Sequence, residues 1–94
     1  MVTPDTWVKV KLPDTDVCKI VAGWSGGYLD SDYWKVNSGI EREKEYEDYI
    51  DYVGYSGSTY RCYREREGVR MSMASILQKM LDVGCTRVKV GDDV

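Results

Sequence analysis

Apolar and polar residues alternate with period two in Trp7-Val8-Lys9-Val10-Lys11-Leu12, which puts Val8, Val10 and Leu12 on one face and Lys9 and Lys11 on the other. That is the pattern of a half-buried strand, closed by Pro13 and the turn residues Asp14 and Asp16. Val17 to Ala22 reads as a second, more apolar strand ending at Gly23. A glycine-rich loop follows, and then a run from Tyr33 to Ile40 in which Trp34, Val36 and Ile40 share a side. Ser38-Gly39 interrupts that run and marks a candidate bulge.

Residues 40–53, IEREKEYEDYIDYV, carry two patterns at once. Tyr46, Tyr49, Ile50 and Val53 fall at helical spacing, and Ser38 with Glu41 imitates a capping box. Tyr49-Ile50-Asp51-Tyr52-Val53 has strong strand propensity, and Gly54-Tyr55-Ser56-Gly57-Ser58 leads into another alternating run, Thr59 to Glu65. Two such runs around a Gly/Ser turn are a hairpin signature, so strand, turn near Glu45–Asp48, strand, turn, strand is the favoured reading. The helical alternative stays open from the sequence alone.

Periodicity then changes from two to about 3.6. Met73, Ile76, Leu77, Met80 and Leu81 form one apolar stripe, which predicts a helix over about 73–83. Ser72 is the expected N-cap, Met71 is placed to staple onto Ile76, and Gly84 supplies the left-handed residue that ends the helix. Thr86, Val88 and Val90 alternate with Arg87 and Lys89 in a last strand before Asp92-Asp93. The expected class is α+β: a mostly antiparallel twisted sheet of about five to six short strands, with the helix packed on one face. The 94 residues are expected to make a single compact domain over 1–94.

Composition sharpens this picture in one respect. Eight tyrosines and three tryptophans stand beside no phenylalanine. Such side chains suit half-exposed sites and binding faces, because each carries a polar tip on an apolar body. A net charge of −3 argues against non-specific nucleic-acid binding. No long apolar run and no apolar leader are present, so a cytoplasmic protein without a membrane span is expected. Cys18, Cys62 and Cys85 are an odd set at irregular spacing, which reads as reduced thiols.

Gly23-Trp24-Ser25-Gly26-Gly27 matches the nucleophile-elbow pattern G-x-S-x-G. That motif needs a helix after the serine and a histidine elsewhere; turn residues follow Ser25, and the chain contains no histidine. Gly54-Tyr55-Ser56-Gly57 repeats the motif, so a pair of hairpin turns explains both copies without a nucleophile. Neither loop has the ending or the following helix of a phosphate-binding loop. No zinc-ligand pairing exists, and Asp30-Ser31-Asp32 and Asp92-Asp93 read as solvated carboxylates before they read as Mg²⁺ ligands. Cys62 lies between Arg61 and Arg64, which would lower its thiol pKa if they faced it; an interior strand cysteine is the default. The chain is therefore expected to be non-catalytic, with no metal and no cofactor.

Charge is unevenly spread. Glu41, Glu43, Glu45, Glu47, Asp48 and Asp51 outnumber Arg42 and Lys44, whereas Arg61, Arg64, Arg66 and Arg70 outnumber Glu65 and Glu67. One account is cross-strand pairing between neighbouring strands. The other is a bipolar surface, with Glu43, Glu45, Glu47, Asp48 and Asp51 meeting a basic partner while Trp24, Tyr28, Tyr55, Tyr60, Tyr63, Arg61 and Arg64 serve as anchors. The favoured function is a small inhibitor or accessory factor that occludes a larger protein or nucleoprotein complex. Some small acidic phage and mobile-element proteins, anti-CRISPR proteins among them, block host defence complexes in that way, which would place a phage-encoded chain in the host cytoplasm. A nucleotide or single-strand module built on the Tyr/Arg run, and an assembly subunit pairing through the Val88–Val90 edge as a homodimer, are the alternatives.

Overall fold

The computed structural model describes residues 1–24 and 33–91. They form strands β1 (Thr6–Lys11), β2 (Cys18–Trp24), β3 (Tyr33–Val36), β4 (Ile40–Glu45), β5 (Tyr49–Gly54), β6 (Thr59–Tyr63) and β7 (Thr86–Val88), with helix α1 (Met71–Asp82) between the last two strands. The class is α+β as expected, but the strands divide into two antiparallel sheets. A central sheet has the order β3-β2-β1-β7, and an outer sheet has the order β4-β5-β6. The helix covers one face of the central sheet and the outer sheet covers the other.

Strand alternation sets these layers. Val8, Val10 and Val21 point toward the helix and pack with Met73, Leu77 and Cys85, while Leu12, Val36, Ile76, Met80 and Leu81 close the edges of that layer. Trp7, Ile20 and Ala22 project from the opposite face and meet Ile50, Tyr52, Tyr60 and Cys62 of the outer sheet. The first strand is therefore covered on both sides. The expectation that Lys9 faces solvent fails: its ammonium reaches the Glu43 carboxylate at 3.1 Å and lies 5.2 Å from the centre of the Tyr52 ring. Lysine can border a core in this way because its stem is apolar and only its tip needs a partner.

The run from Tyr33 to Ile40 is where one expected sheet becomes two. Asn37 is buried; its backbone N–H donates to the Ile20 carbonyl at 3.1 Å and its side-chain oxygen accepts the Ile20 N–H at 2.9 Å. The end of β3 is thereby tied to the central sheet. Gly39 then takes a φ of +122°, a conformation open chiefly to glycine, and the chain leaves for the outer sheet. Ser38, the supposed helix cap, instead accepts the Ser56 N–H at 3.1 Å and joins this crossover to the β5–β6 turn. The hairpin reading of residues 40–53 holds, and its helical alternative does not. The third strand of this series ends at Tyr63 rather than Glu65, because Arg64–Arg66 form a single 3₁₀ turn.

Both ends of the helix differ in how well the sequence foretold them. Its N-cap is Arg70, whose carbonyl accepts the N–H groups of Met73 and Ala74, so Ser72 lies inside the helix. Met71 is exposed and cannot staple onto Ile76. The C-terminus follows the expected form: Gly84, with φ +107°, donates to Leu81, and Cys85 donates to Met80. These are the paired bonds of a Schellman ending. Beyond β7, the N–H groups of Val90 and Gly91 are taken by the Glu67 carboxylate at 2.7 and 2.6 Å. The edge expected to pair between copies is thus partly satisfied within the chain. No helix among the described residues is long and apolar enough to cross a membrane.

Tyr52 carries one testable cost of this core. Its ring is fully buried beside Trp7, with centroids 5.9 Å apart, and its hydroxyl has no hydrogen-bond partner among the described residues. An unsatisfied buried hydroxyl costs on the order of 1–3 kcal/mol. Tyr52→Phe is expected to raise stability by about 1 kcal/mol, read as a higher urea midpoint at unchanged slope. A lower midpoint would show that the hydroxyl is bonded after all.

Candidate binding face

One face of the outer sheet is core and the other is not, and register dictates what the second displays. Ile50, Tyr52, Tyr60 and Cys62 point inward. The intervening residues point out, and strand pairing lines them up in rows. Arg42 is opposite Val53 and Val53 opposite Thr59; Lys44 is opposite Asp51 and Asp51 opposite Arg61; Tyr49 is opposite Tyr63. Tyr46 extends this last row, since its N–H donates to the Tyr49 carbonyl at 2.8 Å where the chain turns from β4 to β5.

The resulting row of tyrosines is closely packed. Tyr46 and Tyr49 have ring centroids 4.7 Å apart at 33°, and Tyr49 and Tyr63 are 5.4 Å apart at 59°. Each ring has its own cation: Lys44 at 5.5 Å from Tyr46, Arg61 at 4.1 Å from Tyr49 and Arg66 at 5.7 Å from Tyr63. These lie within the usual range of cation–π attraction, about 6 Å. Arg61 also donates two parallel bonds to Asp51, both 3.0 Å. Those hydrogen bonds, then the Asp51 charge, push the guanidinium pKa upward despite opposing desolvation, so Arg61 remains a fixed cation.

The acidic segment of the sequence is dispersed by the same alternation. Glu43 bonds Lys9, Glu45 bonds Arg64 at 3.2 Å, and Asp51, only 9% exposed, is held by Arg61. Glu41, Glu47 and Asp48 are left exposed, Glu47 and Asp48 in the β4–β5 turn. The expected single acidic tip is therefore not a continuous patch, and cross-strand pairing accounts for much of the charge contrast. Arg64 is committed as well, donating to the Tyr46 carbonyl at 3.2 and 3.1 Å.

Among the expected anchors, Tyr63 and Arg61 lie on this face, and Arg64 borders it. Tyr55 is 60% exposed on the β5–β6 turn, away from the tyrosine row. Tyr60 is only 5% exposed and belongs to the core, a correction that follows from its place two residues before the inward Cys62. Trp24 is half-buried; it stacks on Tyr33 at 4.9 Å and donates its indole N–H to the Thr3 carbonyl at 3.0 Å. Tyr28 and Ser25 lie outside the described residues, as do Asp30-Ser31-Asp32 and Asp92-Asp93. The second Gly-x-Ser-Gly copy is a turn, in which the Gly57 N–H donates to the Gly54 carbonyl at 2.9 Å.

Arg66 belongs to the Tyr/Arg run expected for a nucleotide or single-strand site, whereas Tyr46, Tyr49, Arg42 and Lys44 are not singled out by the sequence reading. The signal for them was present, because once β5 is fixed by its inward Ile50 and Tyr52, every second residue must face out. The chemistry of Cys62 is also settled by side. It is buried, while Arg61 lies on the opposite face, and burial followed by the Asp51 charge pushes the thiol pKa up. That reverses the lowered pKa its flanking arginines suggested. Among the described residues no cluster of three or more His, Cys, Asp or Glu is placed to hold a metal.

A shallow cleft flanks each end of this face. One, of about 460 Å³, is lined by Arg42, Lys44, Val53, Thr59, Met1 and Asp51, together with Glu43, whose carboxylate Lys9 holds. The other, of about 420 Å³, lies among Glu47, Asp48, Tyr63, Arg64 and Glu65. Comparison with protein-family models, curated proteins and solved structures gives no match to this chain.

Proposed function

We propose that this chain is a non-catalytic binding module of inhibitor or accessory type, which engages a larger protein through the outer face of β4, β5 and β6. The observation that carries the reading is the tyrosine row with a cation on each ring. Tyrosine and arginine are among the residue types that dominate protein-interface hot spots. Here the rings are also braced against one another, so less side-chain freedom is lost when a partner covers them.

The size of the face limits how it is used. Strands about 4.8 Å apart and about 20 Å long present on the order of 300 Å². A standard interface needs about 800 Å² on each partner. The row therefore suits one extended segment of the partner at its centre, with the Glu47-Asp48 turn and the β4 edge adding the rim. Binding there covers the partner's segment, and inhibition by occlusion follows if that segment has another use.

Site-directed crosslinking tests this. Tyr46→p-benzoylphenylalanine is expected to capture one protein in native cells, whereas the same substitution at Lys79 on the exposed side of α1 captures none. Tyr46→Ala combined with Tyr63→Ala is expected to weaken that complex by about 2 kcal/mol, roughly 30-fold, with cooperative urea unfolding retained. Equal capture from both positions, or none from Tyr46, would remove the assignment.

A further inference from the structure

Given that the outer face is the binding face, the charges left on it specify what it receives. We infer that it takes an acidic protein segment, with a carboxylate in the Arg42–Lys44 cleft and an apolar side chain against the tyrosine row. This is the opposite of the basic partner that the acid-rich sequence of residues 41–51 suggests, and the reversal comes from register. Glu43 is held by Lys9, Glu45 by Arg64, and both Asp51 oxygens by Arg61. Arg42, Lys44 and Arg66 have no ion-pair partner among the described residues, and Arg42 and Lys44 line one cleft with Met1, Val53, Thr59 and two carboxylates already paired elsewhere, Asp51 with Arg61 and Glu43 with Lys9. Two unpaired cations beside carboxylates that already have partners are matched by an incoming carboxylate, and Val53 offers its stem an apolar contact.

A single-stranded nucleic acid fits the same residues less well. Base recognition on a sheet needs open ring faces. Here neighbouring rings are tilted against one another by 33° and 59°, and Arg61 already sits 4.1 Å from the Tyr49 ring centre. A phosphodiester chain running along the row would also pass the cleft lined by Glu47, Asp48 and Glu65. Those carboxylates repel a continuous polyanion within a Debye length of about 8 Å. A protein segment with carboxylates at one end only avoids them.

Amide-resolved NMR titration decides the matter with three probes: a twelve-residue peptide with its glutamates confined to one end and leucine and serine along the rest, its glutamine counterpart, and a twelve-nucleotide thymidine strand. The acidic peptide is expected to shift the amides of Arg42, Lys44, Tyr46, Tyr49 and Tyr63, and Arg42→Glu with Lys44→Glu to weaken it at least 10-fold while unfolding stays cooperative. The glutamine peptide is expected to bind at least 10-fold more weakly. Equal binding by both peptides would overturn the acidic assignment and leave the face as a binding site. Stronger shifts of the same amides by the oligonucleotide would overturn the choice of macromolecule. No shift from any probe would defeat this inference, and the Tyr46 crosslink would then show separately whether the face itself is used.

Discussion

Raising the pH from 8 to 11 is expected to unfold this protein steeply, through acids that the core holds in their neutral form. Burial of the Cys62 thiol, with a smaller contribution from Asp51, pushes its pKa well above the ordinary 9.0. Burial of Tyr52, then the charges of Glu43, Cys62, Glu67 and Glu45, pushes its phenol well above 10.0. Tyr60 is raised in the same direction, by burial and then by Cys62. In the unfolded chain these groups ionise near their ordinary values. Above pH 9 the unfolded state therefore binds fewer protons than the folded one, and stability falls as pH rises. The loss begins at the thiol's ordinary value, steepens through that of the phenols and continues until the folded values are reached. Each proton released on unfolding costs about 1.4 kcal/mol per pH unit, so release of about two by pH 11 removes several kcal/mol. Arg61, whose pKa is raised, keeps its charge throughout and adds nothing to the slope. Urea midpoints from pH 7 to 11 measure the proton count, and Tyr52→Phe with Cys62→Ala is expected to flatten the curve. A midpoint unchanged to pH 11 would mean that these groups ionise within the folded protein.

Sequence patterning located most strands and the helix because each shows alternation, a short apolar run or a helical stripe. It missed the division into two sheets because the deciding residues carry no periodicity. Asn37 and Gly39 are a buried hydrogen-bonding turn and a left-handed glycine, and only their contacts to Ile20 and Tyr55 give them meaning. Lys9 misled for a related reason: a lysine on a strand reads as a solvent mark until Glu43 and Tyr52 are placed over it. The site was half legible. Tyr63 and Arg61 stood out as a Tyr/Arg run, but Tyr60 in the same run faces the core. A composition count cannot separate them, whereas alternation can once one inward residue is known. The acidic excess of residues 41–51 does not form one patch, because the strand deals alternate residues to opposite faces and Glu43, Glu45 and Asp51 are paired.

The largest single-residue effect falls on Trp7, where both sheets meet beneath the outer face of β4, β5 and β6. Its side chain is 0% exposed, packs on Tyr52, and donates the indole N–H to the Tyr63 carbonyl at 2.7 Å. Its own carbonyl accepts the Gly68 N–H at 2.8 Å, so the segment after the outer sheet is anchored to β1 at the same residue. Trp7→Ala removes the largest buried side chain and leaves a cavity between the sheets, at a cost of about 3–5 kcal/mol. For a chain of 94 residues, total stability is on the order of 5–14 kcal/mol, so the variant keeps a much reduced margin. Trp7→Phe separates packing from the hydrogen bond: it restores much of the apolar volume but leaves the Tyr63 carbonyl without its donor, and is expected to cost about 1–3 kcal/mol. Because Tyr63 stands in the exposed row, Trp7→Phe is also expected to loosen that end of the row, seen as changed Tyr63 ring resonances while the β1–β2 amides stay in place. A loss below about 1 kcal/mol for Trp7→Ala would mean that the sheets are not held together by this core.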